Sequence, residues 1–195
     1  MAKQLPFRLI LASASLGRRE LLQRAGYAFD VIPSHIDEPN DAGYPDARSL
    51  VQHVAWLKAA AVAAQGEKGV ILAADSIGWI EGTPICKPTD EADARRILRL
   101  LAGRTHQLWT GVCLWRQADG LQIAWQESSD VHFAALDASG IEKYLQTRLW
   151  EGCAGAYAVL ERDDPYVQVT SGSISNVIGL PMESLERRLP MIESP

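Results

Sequence analysis

Five consecutive apolar residues, Val70-Ile71-Leu72-Ala73-Ala74, stop at the polar pair Asp75-Ser76. A run of this length with polar residues after it reads as a buried strand. It delivers a carboxylate to the strand's end, where ligands of open α/β sheets collect. A similar run, Leu9-Ile10-Leu11-Ala12, stops at Ser13-Ala14-Ser15. A helical pattern follows it, with Leu21 and Leu22 opposed to Arg18, Arg19 and Arg24, and closes near Gly26. Phe29 to Ile32 alternates as another strand, and a Pro-, Gly- and Asp-rich loop covers Pro39 to Pro45.

Asp46 is placed to cap a long helix reaching about Gln65, with Leu50, Val54, Leu57, Ala61 and Val62 on one face. Ile77 to Ile85 reads as a hairpin around Glu81-Gly82. Thr89 or Asp90 caps a helix through Ala102, and Gly103 stops it. Gln107 to Arg116 and Leu121 to Phe133 alternate as an antiparallel ribbon that turns at Ala118-Asp119-Gly120. A helix from about Ser139 to Leu149, a loop over Gly152 to Gly155, a short strand over Tyr166 to Val169 and a last helix over Met182 to Leu189 complete the chain. Strands mixed with helices around one long ribbon predict an α/β or α+β domain with a mixed sheet. No repeat or linker divides the 195 residues, so 1–195 read as a single domain.

The 19 basic and 24 acidic side chains leave a net charge of −5. That balance speaks against a nucleic-acid surface or an acidic membrane surface, and leaves room for a small basic pocket. No apolar run reaches the roughly 18 residues of a membrane span. Cys86, Cys113 and Cys153 are widely spaced and form no CxxC, and no targeting segment opens the chain. A cytoplasmic protein without a structural zinc site is the expectation.

Several segments carry chemistry. In the turn Ala12-Ser13-Ala14-Ser15-Leu16-Gly17-Arg18-Arg19, free N–H groups at a helix start, two hydroxyls and Arg18 suit an anion. The plainer alternative is a serine cap with both arginines in water. Asp75 suits a divalent metal or the activation of water, and Asp37-Glu38 ends another strand-like segment that can serve the same metal. Each also reads as an ordinary acidic turn. Lys58 is the only charged residue between Arg48 and Glu67 on an apolar helix; it either snorkels to water or reaches a phosphate. Lys87-Pro88 follows the hairpin as a second isolated cation. His106 reads as a structural residue rather than a base, because no Ser or Cys nucleophile stands at a recognisable spacing. The six tryptophans read as packing residues. Together these groups suit a metal-assisted phosphoanhydride hydrolase, in which cations hold a polyphosphate and carboxylates hold metal and water.

The chain resembles the Maf family of nucleoside triphosphate pyrophosphatases over about Leu9 to Arg187. The resemblance rests on Leu11-Ala12-Ser13-Ala14-Ser15 with Arg18 and Glu20-Leu21-Leu22, Ile36-Asp37-Glu38, Lys58-Ala59, Ala74-Asp75-Ser76, Lys87-Pro88, Gly103-Arg104-Thr105-His106 with Thr110-Gly111-Val112, Cys153-Ala154-Gly155-Ala156-Tyr157 and Asn176-Val177-Ile178-Gly179-Leu180-Pro181. It implies a mixed twisted α/β sheet with flanking helices, similar to inosine triphosphatases, a cleft between two lobes, and often a homodimer. It implies cleavage of a nucleoside triphosphate to a monophosphate and pyrophosphate with Mg²⁺ or Mn²⁺. Asp75 then matches the proton acceptor, Glu38 and Asp75 the metal side, and Ser13, Arg18, Lys58 and Lys87 the polyphosphate set.

The chain departs from the family at Leu16, where proline is usual. At the three positions that sort substrates it carries Gly17, Ser76 and Leu160, matching neither the dTTP/UTP branch nor the 7-methyl-GTP branch. Leu160 has no hydrogen bond to offer a base, and Gly17 removes a large side chain, so an enlarged base pocket and a relaxed preference, extending to non-standard triphosphates, are expected. The alternative is a nucleotide-binding regulator of cell division, of septum-formation-inhibitor type, with weak turnover.

Overall fold

The computed structural model describes residues 3–39, 43–159 and 164–193, and the apolar run lies at its centre. Strand β3 (Val70–Ile80) begins with that run but does not end at Asp75-Ser76, as the polar pair had suggested. It continues because β5 (Thr105–Arg116) pairs with it antiparallel from Val70↔Arg116 to Trp79↔Gln107, with Gly111 opposite Asp75. The sequence-predicted hairpin is therefore shorter: only β4 (Thr83–Ile85) folds back, onto Gly78 to Ile80.

The other edge of β3 is shared. Strand β1 (Leu9–Leu11) runs parallel to Val70 to Leu72, and β4 covers Gly78 to Ile80. Between them residues 73–77 have no strand partner on that edge among the described residues, and Asp75 is the middle one. Strand β2 (Asp30–Val31) lies beyond β1, while β6 (Gln122–Phe133) and β7 (Val167–Ser171) lie beyond β5. The described residues thus form a mixed seven-stranded sheet of order β2-β1-β3-β5-β6-β7, with β4 beside β3.

The strand period distributes the side chains between two helical layers. Leu9, Leu11, Leu72, Ala74, Val112 and Leu114 pack with Leu185, Leu189 and Ile192 of α6 (Met182–Glu193). Ile10, Ile71, Ala73 and Cys113 pack with Ala55, Ala59 and Val62 of α2 (Ala47–Ala63). Fully burying a large aliphatic side chain contributes about 1.5–3 kcal/mol, so these faces dominate the stability. Caps set the helix starts. Ser15 accepts from the Arg18 amide at 3.4 Å to open α1 (Leu16–Arg24), and Asp46 from Ser49 at 2.7 Å to open α2. Asp90 does the same for α3 (Glu91–Leu101) and Asp137 for α4 (Ala138–Gln146). Helix α4 stops short of Leu149 because Arg148 takes a positive φ of 59°. No described helix is long and apolar enough to cross a membrane.

A third core joins α3 and α4 to Ile80, Leu108, Phe133 and Tyr157. His106 lies there, 3% exposed, with Nε2 2.6 Å from the Tyr157 hydroxyl. Burial, helped by nearby His132, pushes its pKa down from 6.5 to about 4. The unfolded chain takes up this proton first, so the contribution to stability is complete above pH 6.5. It disappears as the pH falls to about 4, a loss of up to about 3 kcal/mol. Melting curves of the wild type and His106→Gln should therefore diverge between pH 7 and pH 4.5, with the smaller decline in the variant; parallel declines would contradict this.

Helix α5 (Ile174–Ile178) has no counterpart in the sequence reading. Its five residues are too few to show an apolar period, and Ser175 and Asn176 within it are types that favour turns.

Candidate active site

The turn from β1 into α1 places Ser13 and Arg18 beside the open interval of β3. Arg18 is buried, and neutral acceptors from three elements hold its guanidinium. Its Nε donates to the Gly179 carbonyl at 2.7 Å, Nη1 to Ser13 Oγ at 3.0 Å, and Nη2 to Ser76 Oγ at 3.1 Å. Burial lowers the Arg18 pKa, and the fields of Asp75 and Glu38 oppose that shift. A guanidinium has five N–H donors, so two remain after these three bonds. The alternative of an arginine lying in water is excluded for Arg18.

Lys58 enters from the opposite face. Helix α2 crosses β5 where Gly111 has no side chain: a Cβ there would overlap the Val51 carbonyl and lie 2.7 Å from the Gln52 amide. Val51 and Lys58 are seven residues apart and share one face of α2. This contact brings Lys58 down to Asp75, the strand partner of Gly111. Lys58 Nζ lies 2.7 Å from Asp75 Oδ1 and 2.7 Å from Glu38 Oε1. The lysine is 7% exposed and does not snorkel. Two of its three N–H donors are used, and Asp75 keeps Oδ2. Burial alone would raise the Glu38 pKa, but Lys58, then Lys87 and Arg18, hold it below the usual carboxylate range.

Lys87 is exposed, and its field reaches both Glu38 and Cys153. Arg18, Glu38, Lys58 and Asp75, scattered in sequence, thus gather as two cations and two carboxylates, and the field of exposed Lys87 reaches Glu38. Asp37, beside Glu38, is exposed. His106 contacts Tyr157 and none of these groups. A cavity of about 660 Å³ farther along β5, which includes His106 and Asp130, shares no residue with the cluster, and its Glu81 and Arg104 pair with each other.

Ser76 is engaged with Arg18 and Thr110. The space beside Gly17 is filled rather than vacant: a Cβ there would come within 2.9 Å of Ile178 Cγ2. Leu160 lies outside the described residues. Sequence reasoning singled out neither Gly179 nor Thr110 for a role at Arg18; only their membership of the resembling segments marked them.

The donor set suits a hard divalent cation. No described group of three or more His, Cys, Asp or Glu residues gathers for a metal, but Asp75 and Glu38 converge on one ammonium. Asp75 and Glu38 are thus the carboxylates that could hold such an ion, each with one oxygen not taken by Lys58.

The family model described as Maf-like protein matches residues 8–192. A dTTP/UTP pyrophosphatase of Anaeromyxobacter dehalogenans is 44% identical over 177 residues, 90% of this chain and 89% of that protein. A dTTP/UTP pyrophosphatase of Rhodopirellula baltica is 36% identical over 189 residues, 96% of this chain and 83% of that protein. A solved nucleoside-triphosphatase / dITP/XTP pyrophosphatase from Mycobacterium abscessus matches with a TM-score of 0.46 at 14% identity, over 95% of this chain and 96% of that one.

Proposed function

Since the chain belongs to the family of Maf-like proteins, we propose that it hydrolyses nucleoside triphosphates between the α and β phosphates, releasing a nucleoside monophosphate and pyrophosphate. The observation that carries this reading is the gathering of Arg18 and Lys58 with Asp75 and Glu38 beside the unpaired interval of β3, with exposed Lys87 acting on Glu38. The relatives named dTTP/UTP pyrophosphatases support the reaction class and put those two nucleotides first among substrates.

Asp75 accepts the proton of the attacking water through Oδ2, since Oδ1 is held by Lys58. The third N–H of Lys58, the two spare donors of Arg18, the Ser13 hydroxyl and exposed Lys87 bind phosphate oxygens and offset the charge that builds on the departing pyrophosphate. Mg²⁺ or Mn²⁺ would be held by Asp75 and Glu38 and would supply further charge stabilisation at the phosphoanhydride.

The test is a triphosphate panel with Mg²⁺ or Mn²⁺, scored by initial rate and by product. It should include dTTP, UTP and methylated and deaminated purine nucleotides, because Gly17 and Leu160 replace side chains that sort the family's branches. Monophosphate with pyrophosphate is the expected outcome. Diphosphate with orthophosphate would overturn the cleavage site, and calorimetric binding without hydrolysis would favour the regulator.

A further inference from the structure

Arg18 is held by a hydrogen-bond chain that runs past the site into α5. Ser76 Oγ is 2.9 Å from Thr110 Oγ1, and Thr110 Oγ1 is 3.0 Å from the main-chain oxygen of Asn176. Proton accounting fixes every direction. The Asn176 carbonyl only accepts, so the single Thr110 proton goes to it. The Ser76–Thr110 bond must then use the Ser76 proton. Arg18 only donates, so its Nη2–H fills a lone pair of Ser76. The order Arg18 → Ser76 → Thr110 → Asn176 has no competing arrangement, and links aligned head to tail strengthen one another. Ser76 consequently has no proton left to donate to a substrate.

The far end of the chain is anchored. Asn176 Nδ2 donates to the Leu108 carbonyl at 3.2 Å and to Ser129 Oγ at 2.9 Å. Ser129 Oγ also accepts from the Ser173 amide at 3.0 Å. From the C-terminal end of α5, the Gly179 carbonyl grips Arg18 Nε. Gly179 has a φ of +120°, and a Cβ there would lie 3.3 Å from that Nε, so glycine suits both the turn and the close approach. Thr110 and Asn176 are both 0% exposed and touch no substrate.

We propose that Thr110, anchored through Asn176, is a positioning residue that aims the Arg18 guanidinium at the phosphates. The kinetic part rests on the pyrophosphatase reading above. Thr110→Val keeps the shape of the side chain and removes the hydroxyl, whereas Thr110→Ser keeps the hydroxyl. Thr110→Val should raise KM about tenfold with a smaller change in kcat, a size typical of a misplaced hydrogen bond to a charged group. Thr110→Ser should restore KM to within about twofold. In an Arg18→Lys background the Thr110→Val change should add less than about twofold, because both substitutions act through one group.

A second readout is independent of turnover. In ¹⁵N-labelled protein the Arg18 Nε–H resonance, assigned by its loss in Arg18→Lys, should shift or broaden in Thr110→Val and return in Thr110→Ser. If Thr110→Val does not fold, Ser76→Ala removes the middle link and should move the same resonance. An unmoved resonance, or KM effects that multiply fully with Arg18→Lys, would overturn the proposal. Should the wild type hydrolyse no triphosphate, the pyrophosphatase reading fails while the resonance still decides the positioning role.

Discussion

Asp75→Asn should lower turnover by about 10²-fold or more, the usual contribution of a general base, and leave the fold in place. Asparagine matches aspartate in shape, and its amide oxygen can still accept from Lys58, whose ammonium sits 2.7 Å from Oδ1 in the wild type. Packing around β3 is therefore preserved while the proton acceptor is lost. Initial rates on the best substrate of the panel, paired with thermal melts, check both halves. Turnover near the wild-type level would remove Asp75 from proton transfer, whatever its place beside Lys58.

Gly111→Ala should be the most damaging small substitution, because the added methyl meets backbone rather than a movable side chain. The clash is with the Val51 carbonyl and the Gln52 amide of α2, so the helix must back away from β5. Overpacking of a tight core typically costs 1–3 kcal/mol, and a contact this close belongs at the upper end. About 3 kcal/mol corresponds to roughly 6–12 °C in Tm for a chain of this size. Activity should fall as well, since the same retreat lifts Lys58 away from Asp75. Gly43→Ala is the control: nothing lies within 4 Å of its Cβ position, and losing a glycine there should be neutral or slightly stabilising. Equal melting temperatures for the two variants would show that α2 does not rest on Gly111 as described.

Much of this was legible in the sequence, for identifiable reasons. Val70 to Ala74 and Leu9 to Leu11 are apolar enough to read as buried strands, and Asp46 and Asp90 stand directly before helices, whereas the Asp137 cap of α4 went unread. The ribbon of β5 and β6 follows from alternation around Asp119-Gly120. The continuation of β3 past Asp75 was hidden because two polar residues look like a terminus; the long partner β5 overrides them. Isolated charges such as Lys58 stood out because their surroundings are apolar, which is also why they need partners. Thr110 did not stand out, since a threonine in a ribbon is an ordinary strand former. Gly17 promised space that Ile178 occupies, a contact between segments 161 residues apart that no local pattern announces. The importance of Gly111 is equally non-local, because only the packing of α2 reveals it.

The unbroken pairing of β3 with β5 has a mechanical consequence. From Leu72, the last partner of β1, to Gly78, the first partner of β4, there are six residue steps, roughly 20 Å of extended chain. Because β5 is bonded along this whole stretch, the interval cannot stretch and acts as a ruler. The separation of β1 from β4 along β3 is thus written in covalent spacing, and exchanging side chains on that edge leaves it unchanged.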